Sequence, residues 1–346
     1  MKNRIFPAEW QSQWGVLLAW PHPDTDWADN LTEAEVCYTA IVSAISQRAQ
    51  VLLLCRDATH QARIEAVLST SQTNLANIHW ITLPYNDTWT RDFGFITVLE
   101  NGKPLLLDFT FNAWGGKFDA ALDNAVNANL LHQRLLAGNR LEAHSMVMEG
   151  GSLETDGQGT LLTTEICLLN PNRNPALSKT EIEIQLRAAL GVERILWLAH
   201  GYLEGDDTDG HIDTLSSFDD PHSIVIMRWD NPHDSHYAPL KAMEQELQAL
   251  RQANGEPYRL FPIPLPAAIY DGERRLPASY VNFLIINGAV LLPVYADECY
   301  DPIAIEQMRT AFPRHAIIPI DCRALIMQNG SLHCVTMQIP QEVIRS

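Results

Sequence analysis

Near the C-terminus, Asn329-Gly330-Ser331-Leu332-His333-Cys334 sets a thiol just after a tight turn and ahead of an apolar, strand-like segment. A cysteine there is placed to be a nucleophile, because a thiolate attacks without the strong base that a serine hydroxyl needs. Taken alone, it reads first as a small buried hydrophobe on a half-buried strand, which is what a free cysteine usually is. Other loops supply partners. His211-Ile212-Asp213 sets an imidazole beside a carboxylate, and on a strand the two side chains would share a face. Such a pair suits proton transfer near neutral pH. With Asp207 and Asp209 nearby, the loop also resembles a metal-ligand set. It fails the EF-hand pattern, since His211 stands where Asp or Asn is needed and the closing Glu is missing. A capped loop with solvated acids is the third reading, and the loop alone leaves all three open. Trp89-Thr90-Arg91-Asp92 pairs an aromatic surface with a carboxylate, which together grip a planar cation. Its plain alternative is an Arg91–Asp92 ion pair. Glu149-Gly150-Gly151 reads as a tight turn in which glycine permits unusual dihedrals. His22, His200 and His333 carry no pattern that assigns them a role.

In combination, a cysteine, a histidine and at least two carboxylates on separate loops describe one reaction well. A guanidinium is a planar cation that two carboxylates can hold. A thiolate attacks its carbon, His211 protonates the departing ammonia, and a covalent thiouronium remains. Neutral His211 then activates water and a ureido product leaves. The sequence gives no reason to invoke a cofactor, and no metal is expected.

Composition narrows the surroundings. The chain has 346 residues, 46% of them hydrophobic, enough for a large core in one domain or two. A net charge of −18 argues against nucleic acid or an anionic membrane as partner. It suits a small cationic substrate, and it also serves plain solubility. No apolar run reaches the length of about 18 residues that would mark a membrane span. Met1 to Pro7 lacks the apolar stretch of a signal peptide. Six cysteines, scattered singly, argue against a disulfide framework or structural zinc and fit a reducing cytoplasm.

The elements that must position these groups alternate. Apolar strands are expected at 14–20, 51–55, 78–83, 95–99, 104–109 and 194–198. Helices are expected at 31–49, 58–69, 122–136, 235–254 and 301–311, with another opening at the Ser178–Glu181 capping box and stopping at Gly191. Thr32 with Glu35 reads as a further capping box, and Gly255 as the stop of the helix before it. Asn287-Gly288 between two apolar runs signals a hairpin with a type I′ turn. Five helix starts, near residues 58, 122, 179, 235 and 301, recur every 56 to 66 residues. Asp92, Glu149, His211, Asn282 and Cys334 recur at 52 to 71. One domain, 1–346, of about five αβ units could bring one group from each unit to a shared centre.

Over nearly its whole length the chain resembles the agmatine deiminase and Porphyromonas-type peptidyl-arginine deiminase family of the guanidine-modifying superfamily. The motifs that carry the resemblance include Pro7-Ala8-Glu9-Trp10, Asp87 to Asp92, Phe111-Asn112-Ala113-Trp114-Gly115-Gly116-Lys117, Glu149-Gly150-Gly151-Ser152, Asn172-Arg173-Asn174-Pro175, Asp206 to Asp213, Ser279 to Phe283 and the Cys334 loop. The resemblance implies an α/β fold, the pentein α/β-propeller of five αβ units round a pseudo-fivefold axis. It implies Cys334 as nucleophile, His211 as general acid and base, and Asp92 and Asp213 as guanidinium ligands. Asn282 is expected near the site, orienting substrate or catalyst. Trp89 is expected against the substrate. Asp207 and Glu149 are candidates for the far end of agmatine. The implied activity is hydrolysis of agmatine to N-carbamoylputrescine and ammonia, a step toward putrescine. Peptidyl-arginine or another alkylguanidine is the alternative substrate, and a metal-dependent amidohydrolase is the rival chemistry. A homodimer is expected from the resemblance. Two positions depart from the family pattern: Asn329 replaces a glycine, and Met337 stands where glutamine is common.

Overall fold

The computed structural model describes residues 3–344, so Met1 and Lys2 of the 1–7 stretch lie outside the described residues. Gln13–Ala19 is an almost wholly buried strand, as its continuous apolar run requires when both faces are covered. It pairs in parallel with Gln50–Cys55, which pairs in parallel with Ile78–Thr82. On its other side Met337–Pro340 lies antiparallel, so the two ends of the chain close one sheet.

Four further sheets repeat the scheme of an antiparallel pair followed by a parallel neighbour. They run Ile96–Glu100, Lys103–Thr110, Arg140–Val147; Glu154–Thr155, Thr160–Thr164, Arg194–Leu198; Ser216–Asp220, Ser223–Arg228, Arg259–Pro264; and Leu284–Ile286, Ala289–Val294, Ala316–Asp321. Parallel neighbours need a crossover. Helices Ala121–Leu131, Lys179–Leu190, Tyr237–Ala249 and Tyr300–Ala311 supply it in turn. The first sheet uses Leu31–Ser46 and Ala58–Ser69. The fold is mixed α/β. Its core joins apolar faces from all five sheets, with Trp20, Trp27, Phe95 and Phe218 fully buried.

The scheme has a consequence for chemistry. Asp92, Glu149, His211, Asn282 and Cys334 each stand two to five residues ahead of the first strand of one sheet. The same end of each unit therefore delivers one polar group.

Local expectations fared unevenly. The Ser178–Glu181 capping box forms, and Gly191 caps with φ 76°. Thr32 and Glu35 form no cap: Asn30 precedes the helix, and Glu35 instead accepts from the Trp20 indole. The helix expected to reach Asn254 ends at Ala249, because Leu250 turns extended, so Gly255 does not stop it. In the 286–289 turn only Gly288 has positive φ, so the turn is not type I′. The Asn287 amide is used elsewhere, tying both backbone groups of Gln13.

Candidate active site

The polar groups do meet. Gly151 marks the meeting point: a Cβ there would lie 2.6 Å from His211 Nδ1, 2.9 Å from Asp92 Oδ1 and 3.1 Å from Asp213 Oδ2. Neither Gly150 nor Gly151 has positive φ, so the pair supplies space and not the unusual dihedrals expected of a turn. Gly151 N–H also donates to Asp92 Oδ1 at 3.0 Å. Asp92 sits in the short helix Thr90–Phe93, and the Trp114 indole N–H donates to its Oδ2 at 2.9 Å. Trp114 reaches it from a loop in which Ala113, Trp114 and Gly115 all take left-handed dihedrals. Strain of that kind persists where surrounding contacts over-determine it, often at functional sites.

His211 and Asp213 are not on a strand. They bracket Ile212 in a 3-10 turn, Ile212–Thr214, yet both are buried and both face Gly151. Cys334 lies in a turn three residues before its strand, and its Sγ is 3.4 Å from Asn282 Oδ1. The same oxygen accepts from His333 N–H at 2.9 Å, while Asn282 Nδ2 donates to the Asp213 carbonyl. Both ends of the Asn282 amide are thus tied to the Cys334 loop and to Asp213.

Charge follows from burial and neighbours. Burial opposes a charge on His211, but Asp92 first, then Cys167 and Glu149, outweigh it and hold the imidazolium well above 6.5. Its Nδ1 stands 3.7 Å from Asp92, and its Nε2 3.9 Å from Glu149, ion-pair distances too long for direct hydrogen bonds. Burial foremost, then Asp213 and Asp92, push the Cys334 thiol well above 9. Burial also lifts Asp92 to about 6, helped by Asp213 and Glu149 and opposed by His211. The resting site is thus a neutral thiol, an imidazolium and clustered acids. A cation between Asp92 and Asp213 would relieve the acids and release the thiol proton.

A cavity of about 210 Å³ reaches Cys334 and Asp92 from outside. Trp89 is one wall, against Trp27 and Trp114, and Gly330 leaves no room for a side chain beside that ring. Asp24, Asp26, Asp87, Asp119, Asp123 and Asp207 line it with Asp92, and among the described residues no Lys or Arg does. Asp207 keeps its place as a distal candidate: it lines the cavity, accepts from Asn329 Nδ2, and burial lifts it to about 6. Glu149 does not. It is fully buried, paired with Arg173 through Oε1 at 3.0 Å, and its Oε2 faces His211. Asn329 holds φ 64°, the conformation its glycine counterpart would adopt freely, and bridges Asp207 to Arg274. Met337, the other departure from the family pattern, packs beneath Gly94 and Gly150 and does not line this cavity. Arg91 turns away from Asp92 toward Glu9 and Gln338.

The metal reading of the acidic loop fails on its contacts. Asp206 caps Thr208 and Gly210, and Asp209 pairs with Arg173. Among the described residues the one ligand-like cluster is Glu149, Cys167 and His211, and Arg173 puts a fixed positive charge against its carboxylate. Sequence reasoning gave no role to Trp114, Arg173, His333 or Glu9, although motifs that carry the family resemblance contain all four; their contacts, made across the chain, are what assign them a place.

Residues 5–340 match the family of Porphyromonas-type peptidyl-arginine deiminases. A solved structure from Porphyromonas gingivalis, provisionally named an arginine deiminase, is 50% identical with a TM-score of 0.92, covering 99% of this chain and 100% of that one. A substrate-bound agmatine deiminase of C. jejuni is 38% identical with a TM-score of 0.90, covering 97% and 96%. The agmatine deiminase of Stutzerimonas stutzeri is 35% identical over 98% of this chain and 96% of its own.

Proposed function

This chain belongs to the Porphyromonas-type peptidyl-arginine deiminase family, and we propose that it hydrolyses agmatine to N-carbamoylputrescine and ammonia. One observation carries the choice of substrate: the cavity that ends at Cys334 is lined by aspartates and by no Lys or Arg among the described residues. Such a lining attracts a substrate with a cation at each end and offers an α-carboxylate no partner. The guanidinium lies between Asp92 and Asp213, against Trp89. Its charge lowers the cost of forming the Cys334 thiolate; the thiol proton leaves to solvent, His211 being already protonated, and the thiolate attacks the guanidinium carbon. His211 gives its proton to the leaving nitrogen, and ammonia departs from a thiouronium. Neutral His211 then takes a proton from water as its oxygen adds to the same carbon. The C–S bond breaks, the proton left on the added oxygen passes to the departing Cys334 sulfur, and the ureido product leaves with His211 again protonated. Glu149 and Arg173 hold His211 from behind.

The recurrent sheets support a propeller of five αβ units round a pseudo-fivefold axis, as one domain over 1–346. No described helix is long and apolar enough to cross a membrane. A cytoplasmic homodimer is the form we expect. The test is ammonia release from agmatine, free arginine and a blocked arginyl peptide. Preference for agmatine supports the reading, and preference for the peptide replaces it. Asp207→Asn should then reduce kcat/KM on agmatine about tenfold or more, the worth of one charged hydrogen bond, and spare an alkylguanidine without the far amine. Equal losses on both would remove Asp207 from the distal site.

A further inference from the structure

His333 lies behind the site, not in it. Its Nδ1 is 2.7 Å from Asp213 Oδ2 and its Nε2 is 2.9 Å from Glu9 Oε2. With both carboxylates ionised, these distances suit a proton on each ring nitrogen, because a neutral imidazole would turn a lone pair toward one of them. Asp213 Oδ2 is thereby committed, while its buried Oδ1 has no protein partner. Glu9 is fixed in turn: Ile285 N–H donates to its Oε1 at 2.7 Å, and Arg91 stands 3.4 Å from its Oε2. Glu9 lies ahead of the strand Gln13–Ala19, and Asp24 and Asp26 of the substrate cavity lie past its end. The contact thus reaches the catalytic centre from the side opposite the substrate.

We propose that His333 and Glu9 are positioning residues that hold the Asp213 carboxylate in one orientation, with Oδ1 presented to the guanidinium. The proposal rests on the deiminase reading. The charged and titratable groups facing the pair are Arg91 from the Thr90–Phe93 helix, Glu154 from the neighbouring strand and Asp213 itself. Asp92, His211 and Cys334 stand on the substrate side. Burial raises Glu154 to about 8, so near neutrality it adds little competing charge. Burial and Arg91 oppose a proton on His333, but Glu9 and Asp213 raise it to about 9. The imidazolium is therefore the favoured form near neutrality. A neutral group in its place would remove one of the two imidazolium charges, His211 carrying the other, that face the buried Asp92 and Asp213.

The experiment compares His333→Gln and Glu9→Gln with the unaltered protein. Glu9→Gln retains an oxygen for Ile285 N–H, so it keeps the local fold if His333→Gln does not. Cys334 is alkylated with 2-chloroacetamidine, an amidinium electrophile, and with uncharged iodoacetamide. The expected result is a loss of about tenfold or more in the preference for the amidinium, with the iodoacetamide rate within about twofold. KM for agmatine should rise more than kcat falls, and the acidic limb of kcat/KM should move upward in pH. Equal loss with both electrophiles, or an unchanged preference in folded variants, would overturn the assignment. If the unaltered protein releases ammonia from a guanidine but neither variant changes the limb, the positioning role fails and the deiminase reading stands. If the unaltered protein acts on no guanidine and shows no amidinium preference, the deiminase reading fails first.

Discussion

Gly151→Ala is the sharpest test of the site as built. The added Cβ would sit 2.6 Å from His211 Nδ1, against about 3.4 Å for an ordinary contact, so one of the two must move by about 0.8 Å. It would also stand 2.9 Å from Asp92 Oδ1 and 3.1 Å from Asp213 Oδ2, which closes the easy directions. The backbone is not the obstacle, since Gly151 has no positive φ. Overpacking by one methyl costs on the order of 1–3 kcal/mol of stability, a Tm fall of several degrees in a chain this long. Catalysis should suffer more. A displacement near 1 Å of an acid–base group costs on the order of a hundredfold. We therefore expect kcat/KM for agmatine to fall about a hundredfold in protein that still melts cooperatively. Ammonia release and a thermal melt on the same preparation measure both. Activity within threefold of the unaltered enzyme would mean that His211 and the two aspartates do not share the point where Gly151 places them.

Three further outcomes follow from the same geometry. Cys334→Ser should abolish turnover, because a hydroxyl in this acidic, buried setting has no base strong enough to ionise it; mass spectrometry of a quenched reaction should find the amidino adduct on Cys334 and on no other cysteine. Activity should fall on the acid side below about pH 6: Asp92, lifted to about 6, takes up a proton there and loses the charge that holds the cation, so a kcat/KM profile flat down to pH 4.5 would contradict its role. Chelators should leave turnover unchanged, since the proposed steps need only protein groups; inactivation by EDTA that a divalent cation reverses would restore the metal chemistry.

The amino-acid sequence carried the reaction in its side-chain types. A lone thiol after a turn, an imidazole beside a carboxylate and a Trp-x-x-Asp loop sufficed to suggest guanidine chemistry, and their spacing suggested five units. Each lies just ahead of a strand, where local pattern is informative, because apolar runs and turn residues act over a few positions. Tertiary structure decided the rest. Glu149 offered itself as a reader of the substrate's far end and proved to be paired with Arg173 behind His211. Gly151 looked like a turn residue and proved to be the space that His211, Asp92 and Asp213 share. His333 carried no signal of its own, and its partner Glu9 lies 324 residues away. A residue's dihedral preferences are local and legible. The charge it faces and the volume it must leave empty are set by chain segments far apart in sequence, and they exist only once the sheets have packed.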